Sequence, residues 1–283
     1  MSAATITDIF KTVFGYGFMV RAMIVGVLIS VCAALLGVSL VLRRCSMIGD
    51  GLSHVGFGAL AVAAAIGAAQ LWVALPVVII VAFLIIRLSD NSRLTSDSAI
   101  ALISSGALAL GVMIVSLTGS NTNLGDFLFG SVFALSDADS VLSIVLSAIV
   151  LVLFVMFYNK IFAVTFDAGF ARATGTKEGF YNTFVALLTA VTVVVGMRLV
   201  GALLVTSLII FPPLTAMRVC KKFRSVVIAS GILAAISFIA GMMISVGVPS
   251  APVGASVVLV NAAFFLIFLV AGKIRSLAVA KRD

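Results

Sequence analysis

The chain has 283 residues, of which 63% are hydrophobic and only 10% are charged, and its formal net charge is +8. Soluble domains carry about 25% charged residues, so this composition excludes a protein that covers itself with a hydrated surface. It predicts an all-α, polytopic bundle of transmembrane helices, with residues 1–283 forming a single domain. The Lys and Arg residues lie at the ends of apolar runs, which favours a membrane-topology signal over nucleic-acid binding.

Apolar runs along the chain predict the helices. At about 20 apolar residues per crossing, the length allows roughly eight or nine spans after a short interfacial segment over residues 1–17. The intervening segments are too short for an ATP-binding or catalytic domain, and no Gly-rich phosphate loop ending in Lys-Ser or Lys-Thr is present. The predicted spans are 18–42, 53–70, 71–88, 98–118, 140–158, 180–197, 199–218, 226–247 and 252–272.

The distribution of basic residues predicts the orientation of the bundle. With nine spans and an outer N-terminus, fifteen of the 18 Lys and Arg residues fall on the inner side, and only Lys11, Arg21 and Arg198 fall outside. Cytoplasmic loops are enriched in Lys and Arg. The count therefore favours nine spans over eight and predicts a cytoplasmic C-terminus.

The segment Gly49–His54 contains the one histidine of the sequence. Ionisable groups close to apolar spans are costly, which makes them candidates for function. Asp50 and His54 are four residues apart and therefore project from one helical face, where a carboxylate oxygen and an imidazole nitrogen can bind a divalent transition metal. Two ligands are too few for a closed site, but two copies of the chain would supply four. The alternative is structural: Asp50 caps the second span and His54 donates a hydrogen bond within the bundle.

A polar segment between the fifth and sixth predicted spans combines aromatic and charged side chains. Phe166, Asp167, Phe170 and Arg172 lie on a predicted short helix that ends at Gly175. The predicted orientation places this segment in the cytoplasm. Such a helix can dock on a soluble partner or lie on the lipid surface, and the residues alone leave both interpretations open.

Two consecutive prolines, Pro212 and Pro213, fall inside the seventh predicted span. Proline has no N–H and interrupts the helical hydrogen-bond ladder, so the pair predicts a kink. Broken helices often line a transport pathway, but a purely structural kink explains the pair equally well. Elsewhere, five aspartates are predicted to be ordinary solvated loop residues: Asp90, Asp97, Asp126, Asp137 and Asp139.

Five segments in chain order resemble the permease subunits of bacterial ABC importers for zinc and manganese, the ABC-3 family of metal permeases. Each is weak alone, but their order is specific, and the likeness extends over about residues 15–275. The resemblance implies the fold of a type II ABC importer. The segments are Gly49–His54, Leu128–Ser131, Phe166–Gly175, Leu199–Thr206 and Pro252–Ala255.

The resemblance also implies a mechanism and a set of partners. Asp50 and His54 would line the translocation path and ligate the metal transiently. The coupling segment, residues 166–178, would contact a cytoplasmic ATP-binding subunit. The other partners would be a second copy of the chain, the lipid of the bacterial cytoplasmic membrane, and an extracellular or periplasmic metal-binding protein.

The chain itself is therefore expected to be a transport subunit and not an enzyme. It would hold no permanent cofactor, because zinc, manganese or iron is the cargo and ATP binds to the partner. Two alternatives remain at this point: an ion-coupled secondary transporter that uses Asp50 and His54 as a relay, and a membrane scaffold without transport.

Overall fold

The computed structural model describes residues 15–68, 70–91, 95–118, 130, 137–248 and 251–280. The regular structure within these ranges is entirely helical. The helices are α1 (Gly17–Leu42), α2 (Ile48–Ala65), α3 (Gln70–Asn91), α4 (Ser96–Thr118), α5 (Asp137–Met156), α6 (Tyr158–Phe166), α7 (Ala168–Ala173), α8 (Glu178–Val200), α9 (Ala202–Val219), α10 (Phe223–Gly247) and α11 (Val253–Ala280).

Nine of these described helices are long and apolar enough to cross a membrane, which confirms the upper span count. The short helices α6 and α7 are the exceptions, and they follow the fifth span. The orientation of the bundle stays a prediction. Residues 1–14 of the predicted interfacial segment lie outside the described part of the chain.

The second span begins earlier than predicted, at Ile48. Two glycines ahead of the predicted start, Gly49 and Gly51, allow close helix packing. A Cβ atom on Gly49 would lie 2.6 Å from Cδ1 of Ile209, and one on Gly51 would lie 2.5 Å from Cγ2 of Ile100. Small residues at helix interfaces favour this close approach in membranes, so packing extends the helix through a sequence that resembles a loop.

Helices α1 and α8 form the centre of the bundle. Helix α1 packs against α5, α8, α9 and α10, and its approach to α9 is close enough that a Cβ atom on Gly37 would lie 2.1 Å from the carbonyl oxygen of Ile209. Pro213 has no N–H to donate to that oxygen, so the backbone of Gly37 packs on a carbonyl without its usual helical donor. Helix α4, in contrast, packs mainly on α2 and α3 at the edge of the bundle.

The break between α8 and α9 lies at Gly201, whose φ of 90° and ψ of 151° suit glycine alone. Gly130, with a φ of 71°, packs on this break, and a Cβ atom there would lie 2.4 Å from the backbone nitrogen of Gly201. Two segments that carry the family resemblance, Leu128–Ser131 and Leu199–Thr206, therefore meet here. Of the first segment, the described residues include only Gly130.

Pro212 and Pro213 both lie buried within α9, which continues from Ala202 to Val219. The two prolines therefore do not end the helix. The kink that they predict, and any part it plays in transport, stays a prediction.

Candidate functional site

Asp50 and His54 lie one turn apart near the start of α2, as their spacing predicts. Nε2 of His54 is 3.6 Å from Oδ2 of Asp50, and the side chains of His54 and Asp50 are 26% and 41% exposed. The separation is too long for a hydrogen bond. Both groups therefore face accessible space and remain able to bind a third atom.

Neither of the contacts that the structural interpretation predicts for this pair occurs among the described residues. Met47, not Asp50, occupies the N-cap position of α2, and no side chain caps the helix. Nδ1 of His54 is buried and has no hydrogen-bond partner among the described residues, although buried polar atoms are usually hydrogen-bonded. The hydroxyl of Ser53 donates to the backbone oxygen of Asp50 at 2.7 Å, so this bond does not use the carboxylate. Asp50 lies in the first turn of α2, where a carboxylate favours the helix dipole, but its oxygens are not used in capping the helix.

The described part of one chain does not supply a complete set of metal ligands. The described residues contain no group of three or more His, Cys, Asp or Glu side chains that could hold a metal ion. The whole sequence has a single histidine, so a second imidazole must come from another molecule. One oxygen and one nitrogen ligand suit manganese, iron(II) and zinc alike, and two such pairs would complete a four-ligand set.

Helix α4 packs on α2, which carries the Asp50–His54 pair, and no other described helix covers the outer face of α4. A Cβ atom on Gly58 of α2 would lie 2.7 Å from the carbonyl oxygen of Ala107 in α4, so the two backbones nearly touch. Small and hydroxyl side chains at helical spacing suit the packing of a further helix. The open face of α4 is lined by Ser105, Leu108, Ala109, Val112, Met113, Ser116 and Leu117.

The predicted short helix is present as α7, which contains Phe170 and Arg172, whereas Phe166 is the last residue of α6. Oδ1 of Asp167 accepts a hydrogen bond of 2.8 Å from the backbone N–H of Phe170, which makes Asp167 the N-cap. Gly175, with a φ of 78°, ends the turn beyond the helix. Nε of Arg172 is 3.1 Å from Oε2 of Glu178 in the first turn of α8. The N-cap and Gly175 define the ends of the turn, and the ion pair connects it to the central helix α8.

The coupling segment presents aromatic rings outwards. Phe166 and Phe170 are 58% and 63% exposed, whereas Ala171 is fully buried. The ring of Phe166 meets that of Phe223 edge-on, with centroids 5.7 Å apart. The segment therefore has one side packed on the bundle, at Ala171, and one exposed aromatic side, at Phe166 and Phe170, which could face either a soluble partner or the lipid surface.

An ion pair at the opposite end of the bundle corrects the interpretation of one aspartate. Oδ1 of Asp139 in α5 is 3.0 Å from Nη1 of Arg198 in α8, so the prediction that Asp139 is an ordinary solvated loop residue is wrong. Asp90 and Asp97 also lie in helices, α3 and α4. The available signal was Arg198 itself, since an arginine next to a span requires a partner.

Residues 15–272 match the ABC 3 transport family. The chain is 30% identical to the manganese import system permease protein ScaB of Streptococcus gordonii, over 96% of this chain and 98% of that protein. It is 30% identical to the manganese transport system membrane protein MntC of Listeria monocytogenes, over 95% and 96%. The structure of PsaBC from Streptococcus pneumoniae in complex with Fab aligns with a TM-score of 0.83 and 28% identity, covering 93% of this chain and 95% of that one. The chain therefore belongs to the ABC 3 transport family and is a multi-pass membrane permease.

Proposed function

We propose that this permease is the membrane subunit of an ATP-driven importer of a divalent transition-metal ion, with Asp50 and His54 as its transient ligands. The observation that carries the proposal is the pair itself: two partly exposed ligand groups one turn apart, with a buried histidine nitrogen that has no partner among the described residues. The manganese in the names of the relatives supports the same class of cargo.

Two copies of the chain complete the site. With one histidine per chain, a homodimer that faces its Asp50–His54 pairs towards a shared path supplies two carboxylates and two imidazoles. The uncovered face of α4, beside the pair, is the surface that we assign to the second copy. A site built from a few ligands on separate chains can release its ion, which transport requires.

Manganese is the first candidate substrate. Carboxylate and imidazole ligands accept manganese, iron(II) and zinc, so the ligand set alone does not select among them. Manganese is placed first because it occurs in the names of the relatives ScaB and MntC, and iron and zinc follow. Delivery by an extracellular or periplasmic metal-binding protein completes the proposed system.

The coupling segment transmits the motion of ATP-binding subunits to the bundle. Two exposed rings, Phe166 and Phe170, and the tether from Arg172 to Glu178 of α8 support docking of a soluble partner over adsorption to lipid. Because α8 lies at the centre of the bundle, a push on α7 would reach the helices that contact α2. The ATPase end, and with it the C-terminus, is assigned to the cytoplasm of a bacterial cell.

The test is uptake of radiolabelled manganese and zinc by cells that express the complete system. We expect His54→Ala and Asp50→Asn each to reduce uptake of the transported metal by more than about tenfold at unchanged protein level, since loss of even an outer-shell partner of a metal costs about that much. Ser53→Ala is the matched control: its buried hydroxyl bonds to a backbone oxygen of the same helix, and uptake should persist.

Other outcomes would contradict the proposal. Normal uptake by His54→Ala would remove this residue from the path. Uptake that survives removal of the ATPase but stops when the proton gradient collapses would identify an ion-coupled secondary transporter instead. No difference between cells with and without the system, for either metal, would exclude both substrates.

A further inference from the structure

A groove of about 590 Å³ opens between α1, α5, α6 and α10, away from α2 and α4. Most of its lining is apolar. Val155 and Ile232 on its rim are 68% and 55% exposed, so the groove faces the surroundings of the bundle and not its centre. One end is polar, where Tyr158 and Asn159 of α6 contribute to the wall.

Gly231 of α10 leaves open the space at the floor of the groove. A Cβ atom on Gly231 of α10 would meet Cγ1 of Val31 at 3.7 Å and Cδ2 of Leu35 at 3.8 Å, which are ordinary van der Waals distances. A methyl group is therefore tolerated at this position. Any longer side chain would occupy the space that the groove leaves open.

The polar end carries positive charge, and the acidic residues that follow α6 in the chain, Asp167 and Glu178, contact the Phe170 N–H and Arg172. Lys160 follows Asn159 in the chain, and Arg224 lies close enough to Tyr158 that its charge lowers the pKa of the phenol, although burial raises that pKa by more. The phenol therefore keeps its proton and can donate it in a hydrogen bond. Lys160 and Arg224 are exposed and, among the described residues, neither forms an ion pair.

The surrounding sequence reinforces this imbalance of charge. No acidic residue occurs from 140 to 166 or from 179 to 282, so α6 and α10 carry none. Aromatic rings cluster at the polar end of the groove. The ring centroids of Tyr158 and Phe223 lie 5.5 Å apart, and those of Phe162 and Phe223 lie 5.1 Å apart. Belts of aromatic and basic residues are typical of the boundary between lipid tails and headgroups.

We propose that this groove binds one anionic phospholipid, with an acyl chain against Val31, Leu35 and Gly231 and its phosphate beside Tyr158 and Arg224. Basic pockets between transmembrane helices favour anionic headgroups, because each Lys or Arg near the surface adds electrostatic attraction. The apolar trough fits a hydrocarbon chain, and the neutral phenol and the guanidinium both donate to phosphate oxygens. The site is separate from the Asp50–His54 pair and does not depend on the identity of the transported metal.

Lipid binding to the full-length chain in mild detergent tests the proposal. Native mass spectrometry with dioleoyl phosphatidylglycerol and dioleoyl phosphatidylcholine should give one tightly retained phosphatidylglycerol. Arg224→Gln should weaken that binding about fivefold, the effect expected from one basic residue near a charged membrane surface, and should leave phosphatidylcholine unaffected. Arg87→Gln is the matched control, because Arg87 is an exposed arginine of α3, a helix that contributes no residue to the groove.

A second pair of variants tests the apolar trough. Gly231→Leu should abolish retention of the phosphatidylglycerol, whereas Gly231→Ala should preserve it. If Gly231→Leu does not fold, Arg224→Gln still decides, because that side chain is exposed. Equal binding of the two lipids, or unchanged binding by Arg224→Gln, would overturn the proposal. So would cross-linking of two copies through Ile228→Cys, which would place a second chain on the groove.

Discussion

Helices α8 and α4 are each 23 residues long and both are apolar enough to span a membrane, yet they have opposite environments. Of their most apolar stretches, 72% of the residues are buried in α8 and only 11% in α4. Hydropathy therefore identifies which segments span the membrane, but it does not show which of them lie at the centre of the bundle and which at its edge. The difference lies in the neighbours: Gly196 of α8 packs against Val205 and Ile29, whereas a Cβ atom on Gly106 of α4 would meet nothing within 4 Å.

The comparison suggests that the two helices have different partners. Helix α8 stabilises the fold of one chain, because its small residue Gly196 already packs against side chains of α1 and α9. Helix α4 has unused small and hydroxyl residues, which in a membrane favour association with another helix more than contact with lipid. Substitutions in α8 should therefore affect stability, and those in α4 should affect assembly.

The largest expected effect is on folding. Gly196→Leu would place a side chain where a Cβ atom already lies 2.6 Å from Cγ2 of Val205, and overpacking of this kind costs about 3 kcal/mol. We expect a large loss of folded protein and a lower melting temperature in detergent. The matched change Gly106→Leu should alter the stability of the single chain by no more than about 0.5 kcal/mol. Equal losses for both variants would contradict the contrast between the helices.

A smaller effect is expected on the association of two copies. In a background without the native cysteines, Ser105→Cys and Ser116→Cys on the open face of α4 should form disulfide-linked dimers under mild oxidation. Val193→Cys in α8, which is fully buried, should remain uncross-linked. Dimers from Val193→Cys, or none from either α4 position, would show that the second copy uses another surface.

The smallest effect concerns the ion pair that fastens the end of α8 to α5. The side chains of Arg198 and Asp139 are 31% and 24% exposed, and pairs that contact solvent contribute about 0.5–1 kcal/mol. Asp139→Asn and Arg198→Gln should each lower the melting temperature slightly, and the double variant should lose less than the sum of the two. Strict additivity would show that the pair is not coupled.

Much of the fold follows from composition, because about 20 apolar residues in a row leave few alternatives to a membrane helix. The third predicted span, 71–88, coincides with the apolar stretch of α3. The predicted start of α2 was too late, because the helix packs at Gly49 and Gly51 on Ile209 and Ile100, which are distant in the chain.

The candidate site also has one part that the sequence predicts and one part that depends on tertiary packing. Spacing alone places Asp50 and His54 on one helical face. The unpartnered nitrogen of His54 and the exposure of both side chains depend on which surfaces α4 and α8 leave uncovered, which spacing does not specify. The pair between Asp139 and Arg198 joins residues 59 positions apart, so only the need of Arg198 for a partner was visible in the sequence.

The single histidine has a genetic consequence. If two copies share one metal path, every substitution at His54 removes two ligands from each mutant dimer and one from each mixed dimer. Random pairing of equal amounts of normal and altered chains would leave about a quarter of the dimers intact, as closed two-fold assemblies require. A His54→Ala allele expressed beside the normal gene should therefore be dominant, whereas an allele that prevents folding should be recessive.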